Sequence, residues 1–430
     1  MATTQTAASG VFDTSDPAFL ADPYPWFGWL RDQGPVHWHP GLGLQIAVSH
    51  QACDLVLRDR GLGRIWRDRE PAEAFPAFNL LHRTSILESE PPTHTRLRRL
   101  VAGAFGRGHV ERMRPWIERL ADTLVADMVA GLMDGTVGAH GGNGADGADG
   151  ADGADGGNGA DADLIACVAE PLPVEVIAEL LGVPAADRGL LRPWSNAIVK
   201  MYEYQPAPPL QAGAEASAAA FVAYLRELVA ERRRAPREND MISDLVAAAD
   251  GADRLSQDEI VGTCVLLLMA GHEATVNVIG NGMLAMLHHP QQWQRLVQDA
   301  GLIVPATEEM IRFDSSLQLF ERTAIRDVRI AGVTVPEGGR IAALLGAAHR
   351  DPAVFDHPDV FDIGRAPNPH LGFGAGIHFC LGAPLARVEV QAMLGSLRRR
   401  LPAIVLAQEP QRRGEFVIRG LMELRVSAAG

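Results

Sequence analysis

Cys380 closes the run Phe373-Gly374-Ala375-Gly376-Ile377-His378-Phe379-Cys380, and Gly382 follows two residues later. A lone cysteine is usually an inert buried thiol. Here alternating glycines let the loop turn tightly and pass close under a flat prosthetic group, and His378 offers a donor to a carboxylate. The apolar residues Leu385, Ala386, Val388 and Val390 then predict a helix, whose first N–H groups favour a thiolate. The chemistry implied is a single soft axial ligand for a metal.

A second candidate is Ala270-Gly271-His272-Glu273-Ala274-Thr275-Val276-Asn277, inside a long apolar stretch. Ala270 and Ala274 share a helical face and with Gly271 leave a groove, which close helix packing would also explain. Packing does not account for Glu273 and Asn277, because a carboxylate buried there must be paired, hydrated or functional. Glu309 and Arg312, three apart, form an internal ion pair of the surface or the clamping kind. His94 and Arg98, four apart after Pro91-Pro92, can converge on one anion, whereas Arg99 reads as a solvated basic residue.

The elements that must position these residues are mostly helical. Periodicity predicts helices over 96–105, 110–128, 164–181, 194–204, 214–234 and 256–287, with a proline break at 206–209. The 256–287 helix, about 48 Å long at 1.5 Å per residue, begins with Ser256 and Glu259 at capping-box spacing. Strand character is confined to 43–48, 328–335 around Gly332, 339–344 and 415–426. The fold class is mainly α with small peripheral β-sheets, and one catalytic unit covers residues 1–430. Residues 135–162 repeat a Gly-Ala-Asp unit with little to offset the entropy of ordering, and are expected to form a mobile surface loop. A calcium-binding coil would need large apolar residues between the repeats.

With 47% hydrophobic residues the 430-residue chain can close a large core. Its 53 acidic against 39 basic residues argue against nucleic-acid binding. Cys53, Cys167, Cys264 and Cys380 show neither zinc-site nor disulfide-scaffold spacing and suit a reducing cytoplasm. No secretion signal or membrane anchor is expected from the small, polar N-terminus or the short apolar runs.

Taken together these motifs resemble a soluble bacterial cytochrome P450, with the similarity running from Asp22-Pro23-Tyr24 to Phe416-Val417-Ile418-Arg419-Gly420 and its signature in Phe373 to Gly382. The resemblance implies a P450 fold whose long helix crosses haem b, with Cys380 as the iron ligand. His94, Arg98, Arg322 and His378 would hold the propionates, Phe373 and Gly382 would shape the haem loop, and Glu309 and Arg312 would lock the core. Ala270, Gly271, Glu273 and Ala274 would line the oxygen pocket. Substrate would lie among Ser85, Ile86, Ser316, Leu317, Gln318, Val417 and Ile418, under a covering loop stiffened by Pro206, Pro208 and Pro209.

The implied reaction is insertion of one oxygen atom from O2 into a hydrophobic small molecule, by hydroxylation or epoxidation in natural-product biosynthesis. Electrons would come from a ferredoxin or flavodoxin and its NAD(P)H-dependent reductase, docking at Arg99, Arg107 and Arg387. An atypical P450 oxidation and a haem sensor or carrier without turnover are the alternatives. Two positions depart from the pattern. Ala274 stands where a threonine is usual, with Thr275 about 100° further round the helix. Val360 stands where an arginine often completes the clamp, leaving that task to backbone carbonyls or Arg365.

Overall fold

The long helix starts with the expected capping box: Ser256 Oγ accepts the Glu259 N–H at 3.1 Å, and Glu259 Oε2 accepts the Ser256 N–H at 2.8 Å. In the computed structural model, which describes residues 11–102, 105–134, 161–203, 206–238, 240–249 and 255–429, this central helix runs from Gln257 to His288. It is long and apolar enough to cross a bilayer, yet most of its apolar window is buried by neighbouring helices, as befits a core element. Missing side chains let those neighbours approach. A Cβ at Gly262 would lie 2.3 Å from Thr84 Oγ1, and one at Gly282 would lie 2.4 Å from Met310.

Around it pack helices Pro171–Leu181, Leu191–Val199, Pro208–Arg234, Ile303–Phe313 and Ala383–Arg400, the last also against Arg107–Asp134. Their facing side chains form the largest apolar cluster. Two smaller clusters flank a five-stranded sheet ordered Val36–His39, Leu44–Ala47, Arg340–Leu344, Leu319–Ala324, Leu62–Gly63. Only the contact between Leu44–Ala47 and Arg340–Leu344 in that sheet is parallel. A hairpin, Val328–Ile330 with Val333–Val335, turns at Ala331 and Gly332, both at positive φ.

Several expectations need correction. Pro208 and Pro209 open helix Pro208–Arg234 rather than stiffening a loop, because the first helical turn needs no intrahelical N–H donors. The strand expected over 415–426 shrinks to Arg425–Ala428 with isolated bridges at Ile418 and Leu421. The repeat segment ends earlier than 162: Ala162 is buried and pairs with Val426, while 135–160 lie outside the described residues. Short elements such as helix Pro76–Arg83 and strand Leu319–Ala324 escaped the sequence reading.

Candidate active site

Gly374 and Gly376 both sit at positive φ, near 68° and 69°, and a Cβ at Gly376 would come within 2.6 Å of the Leu57 carbonyl. The loop they form closes when the Cys380 N–H donates to Phe373 O at 2.8 Å. Helix Ala383–Arg400 follows, and the sulfur receives the N–H groups of Gly382 and Ala383. Burial raises the thiol's pKa above its ordinary value, while those amides and the guanidiniums of Arg98 and Arg387 pull the other way.

A cationic cluster adjoins this loop. Arg98 donates to Phe379 O at 2.7 Å, and the rings of His94 and His378 lie 4.4 Å apart. Burial, with His378 and Arg98 close by, pushes the His94 pKa down to about 4. Arg322 is buried, and among the described residues no acidic side chain pairs with it. Its guanidinium donates to the Glu321 carbonyl, and burial beside Arg64 lowers its pKa to about 9 against the opposing pull of Glu90 and Glu88. Glu90 lies 2.8 Å from His378 Nε2 and accepts the Arg64 N–H, so His378 is already engaged by a carboxylate.

On the central helix, only Leu266, Ala270, Gly271, Ala274 and Val278 remain solvent-accessible between Ile260 and Met286. Four of these are spaced by four and make one stripe, with Ala270 its most open point, so the interior face of this helix borders a cavity. Gly271 serves the packing role too, since a Cβ there would meet Ile177 at 2.9 Å. Glu273 is buried beside the stripe, its Oε1 3.1 Å from Arg413 Nη1 and its Oε2 3.6 Å from His272 Nε2.

Thr275 turns away from the stripe: its hydroxyl bonds to Gly271 O at 3.3 Å and neighbours the buried Glu389, whose carboxyl burial holds well above the ordinary range. Asn277 donates to the Glu273 carbonyl at 2.9 Å and packs against Gly420, which accounts for it structurally.

Glu309 and Arg312 are both fully buried and meet through two hydrogen bonds, 2.8 and 2.7 Å. Arg312 also donates to the carbonyls of His349, Pro358 and Val360. Arg365 Nε reaches Glu309 at 3.1 Å, so the position held by Val360 contributes its backbone while Arg365 supplies the second cation.

Above the accessible stripe, a pocket is lined by Leu81, His82, Ser85, Tyr202, Leu266 and Met269. The Tyr202 hydroxyl and His82 Nε2 are 3.0 Å apart. Two carboxylates hold neighbouring segments here. Glu203 accepts the N–H groups of Phe416, Val417 and Ile418, and Glu215 accepts those of Ala77 and Phe78.

The cytochrome P450 family model matches residues 192–412. The P450 monooxygenase PikC of Streptomyces venezuelae is 38% identical over 95% of this chain and 91% of its own. The chain belongs to the cytochrome P450 family. The biotin biosynthesis cytochrome P450 of Bacillus subtilis is 34% identical over 96% of this chain and 98% of its own. The crystal structure of P450BioI, in complex with an acyl carrier protein bearing hexadec-9Z-enoic acid, superposes with a TM-score of 0.85 at 33% identity, covering 95% of this chain and 99% of that one. The P450 fold expected from the sequence is therefore the fold found, and the protein is a haem-iron monooxygenase that takes a substrate, O2 and electrons from a donor.

Within this P450, not every expected residue joins the site. Gln318 is fully buried with its amide donating to Ser315 O at 2.7 Å, and Ser316 accepts the Arg419 N–H through its backbone. Ile86 belongs to the main apolar cluster, and Leu317 bridges Ile418. Of the expected pocket residues, Ser85 lines the pocket just described. Arg387 is held by Glu308 at 2.7 and 2.8 Å over the Phe373 ring, which removes it as a ready docking cation. Sequence reasoning missed His82 and Tyr202, whose spacing carries no signal, and Arg413, which lies 140 residues from Glu273.

Proposed function

We propose that this P450 binds haem b through Cys380 and hydroxylates or epoxidises a hydrophobic natural product. The observation that carries the reading is Arg322, a buried guanidinium with no carboxylate hydrogen-bonded to it among the described residues, in one cluster with His94, His378 and Arg98 beside the Cys380 loop. A buried cation with no carboxylate in direct contact is costly even with Glu90 and Glu88 in its neighbourhood, and a haem carboxylate would relieve it. The donor set therefore fits a thiolate-ligated porphyrin: Cys380 for the metal, Arg322, Arg98, His94 and, through the ring nitrogen not engaged by Glu90, His378 for the propionates, Phe373 and Gly382 for the loop. When bound, the haem supplies activation of O2, with the thiolate pushing electron density that favours O–O cleavage.

The chain's own share is geometry and protons. The N–H groups of Gly382 and Ala383 stabilise charge on the sulfur. Ala270, Gly271 and Ala274 leave room for a small ligand on the central helix, and Glu273 moves protons toward it. Thr275, facing Glu389, takes no direct part in that transfer. The apolar walls near Leu81, Leu266 and Met269, with Ser85 as a polar handle, suit a weakly polar substrate. Relatives named for polyketide and biotin biosynthesis support a biosynthetic role. Electrons would come from a ferredoxin or flavodoxin with its reductase, in a cytoplasmic setting suited to four free cysteines.

The decisive test is optical. Haem-loaded protein reduced under carbon monoxide is expected to show the red-shifted Soret band of a thiolate-ligated iron, and Cys380→Ser to lose it with helical content unchanged. A normal Soret position in the folded wild type overturns the reading. Because Ala274 favours an atypical oxidation as the second reading, products formed under labelled O2 separate the two: only monooxygenation places one labelled atom in product.

A further inference from the structure

His272 is buried on the side of the central helix away from the accessible stripe. Its Nδ1 lies 2.8 Å from the Leu268 carbonyl, which can only accept, so the ring proton sits on Nδ1. Nε2 therefore presents a lone pair, and among the described residues this buried nitrogen has no hydrogen-bond partner. It points to Glu273 Oε2, 3.6 Å away. Two acceptors facing each other in a buried site repel, and a single proton between them turns that repulsion into a charge-assisted hydrogen bond.

The groups around the pair come from three other segments. Arg413, on the C-terminal segment, fixes the other oxygen of Glu273 at 3.1 Å. Arg192, on helix Leu191–Val199, lies near His272 and pairs with Glu170 at 2.5 Å, at the start of helix Pro171–Leu181. Arg192 is half-exposed, whereas Glu170 is nearly buried. Arg192 thus reaches from solvent to the neighbourhood of His272 while holding Glu170, which itself acts electrostatically on Glu273 at the border of the stripe.

We propose that His272 is a proton-positioning residue of this enzyme: Nε2 takes a proton arriving from the Glu170–Arg192 side, shares it with Glu273 Oε2, and the carboxyl then releases it toward the cavity at Ala270 and Ala274. One proton enters and one leaves, and Nδ1 keeps its own throughout. The relay would serve the chain where Ala274 offers no hydroxyl. The inference rests on reading that cavity as the oxygen pocket. Burial and the two arginines keep the His272 pKa below the usual histidine range, and Glu273 opposes them.

The test follows histidine Cε1 resonances of the holoenzyme, reduced and bound to carbon monoxide so that it is diamagnetic, with His272→Gln assigning the signal. Glu273→Gln is expected to weaken proton binding at His272 at least about tenfold, given charges this close in a buried site. A His272 titration identical in wild type and Glu273→Gln overturns the proposal. Reoxidation by O2 of holoenzyme reduced and then freed of excess dithionite, followed by its visible spectrum in H2O and D2O across pH, is the second readout; it needs no substrate and is expected to quicken toward acid pH. His272→Gln and His272→Asn are expected to diminish the acid-side rise at least about threefold. An unchanged profile in variants that keep the wild-type carbon monoxide band also overturns it, whereas loss of that band in the wild type instead sinks the haem-thiolate reading.

Discussion

Arg413 Nη1 lies 3.1 Å from Glu273 Oε1, so a cation from the C-terminal segment pins a carboxylate that borders the accessible stripe of the central helix. Arg413→Met strips that carboxylate of its partner and is expected to lower stability by about 2 kcal/mol, less than a fully buried pair because Arg413 is partly exposed. Chemical denaturation checks this. The double variant with Glu273→Gln is expected to lose less than the sum of the two single variants, since the uncompensated charge is gone.

The Glu309 and Arg312 pair is buried completely, which makes the core sensitive to loss of either partner. Glu309→Ala leaves Arg312 and Arg365 facing each other and is expected to cost about 3–5 kcal/mol, with a matching loss of haem retention during purification. Arg365→Ala leaves the Glu309–Arg312 bonds in place and is expected to cost about 1–2 kcal/mol. A larger loss from Arg365→Ala than from Glu309→Ala, measured by thermal unfolding, contradicts the clamp geometry.

Glu308 ties helix Ile303–Phe313 to Arg387 and His370. Burial opposes ionisation there, but hydrogen bonds from Arg387 and His370 outweigh it and bring the pKa down to about 2. The folded value lies below the unfolded one of about 4.3, so this group stabilises the fold above that value and loses its contribution as pH falls toward the folded one. The stability gap between wild type and Glu308→Gln is therefore expected to be full at pH 7 and to close below about pH 4. Urea unfolding at several pH values measures it.

Ala274→Thr adds a hydroxyl to the accessible stripe, at a position about 100° from Thr275. If the substrate or the His272–Glu273 pair already manages protons, product formed per electron is expected to change by less than about twofold. A tenfold rise would show that the missing hydroxyl limits the native enzyme.

Much of this was legible in single stretches of chain. The central helix was expected over 256–287 and spans Gln257–His288, because its cap and apolar run are local. The Cys380 loop and the Glu309–Arg312 pair were visible for the same reason. What could not be read were features made by distant segments. The apolar pattern of 415–426 suggests a strand, yet the N–H groups of Val417 and Ile418 are taken by Glu203, some 214 residues away. Strand Val36–His39 is too short for alternation to announce it, Leu319–Ala324 does not alternate in burial, and a sheet partner defines both. Pro208 and Pro209 read as a break because proline both ends helices and begins them. Arg192, Glu170 and Arg413 have ordinary spacing, and only folding brings them to His272.

Glu203 and Glu215 fasten three parts of the pocket wall through backbone amides rather than through opposite charges. Such buckles are indifferent to ionic strength in a way that lysine or arginine latches are not. Parting of these segments should thus depend on how readily amides let go of a carboxylate, making the wall's resistance a matter of peptide geometry and largely independent of the salt around it.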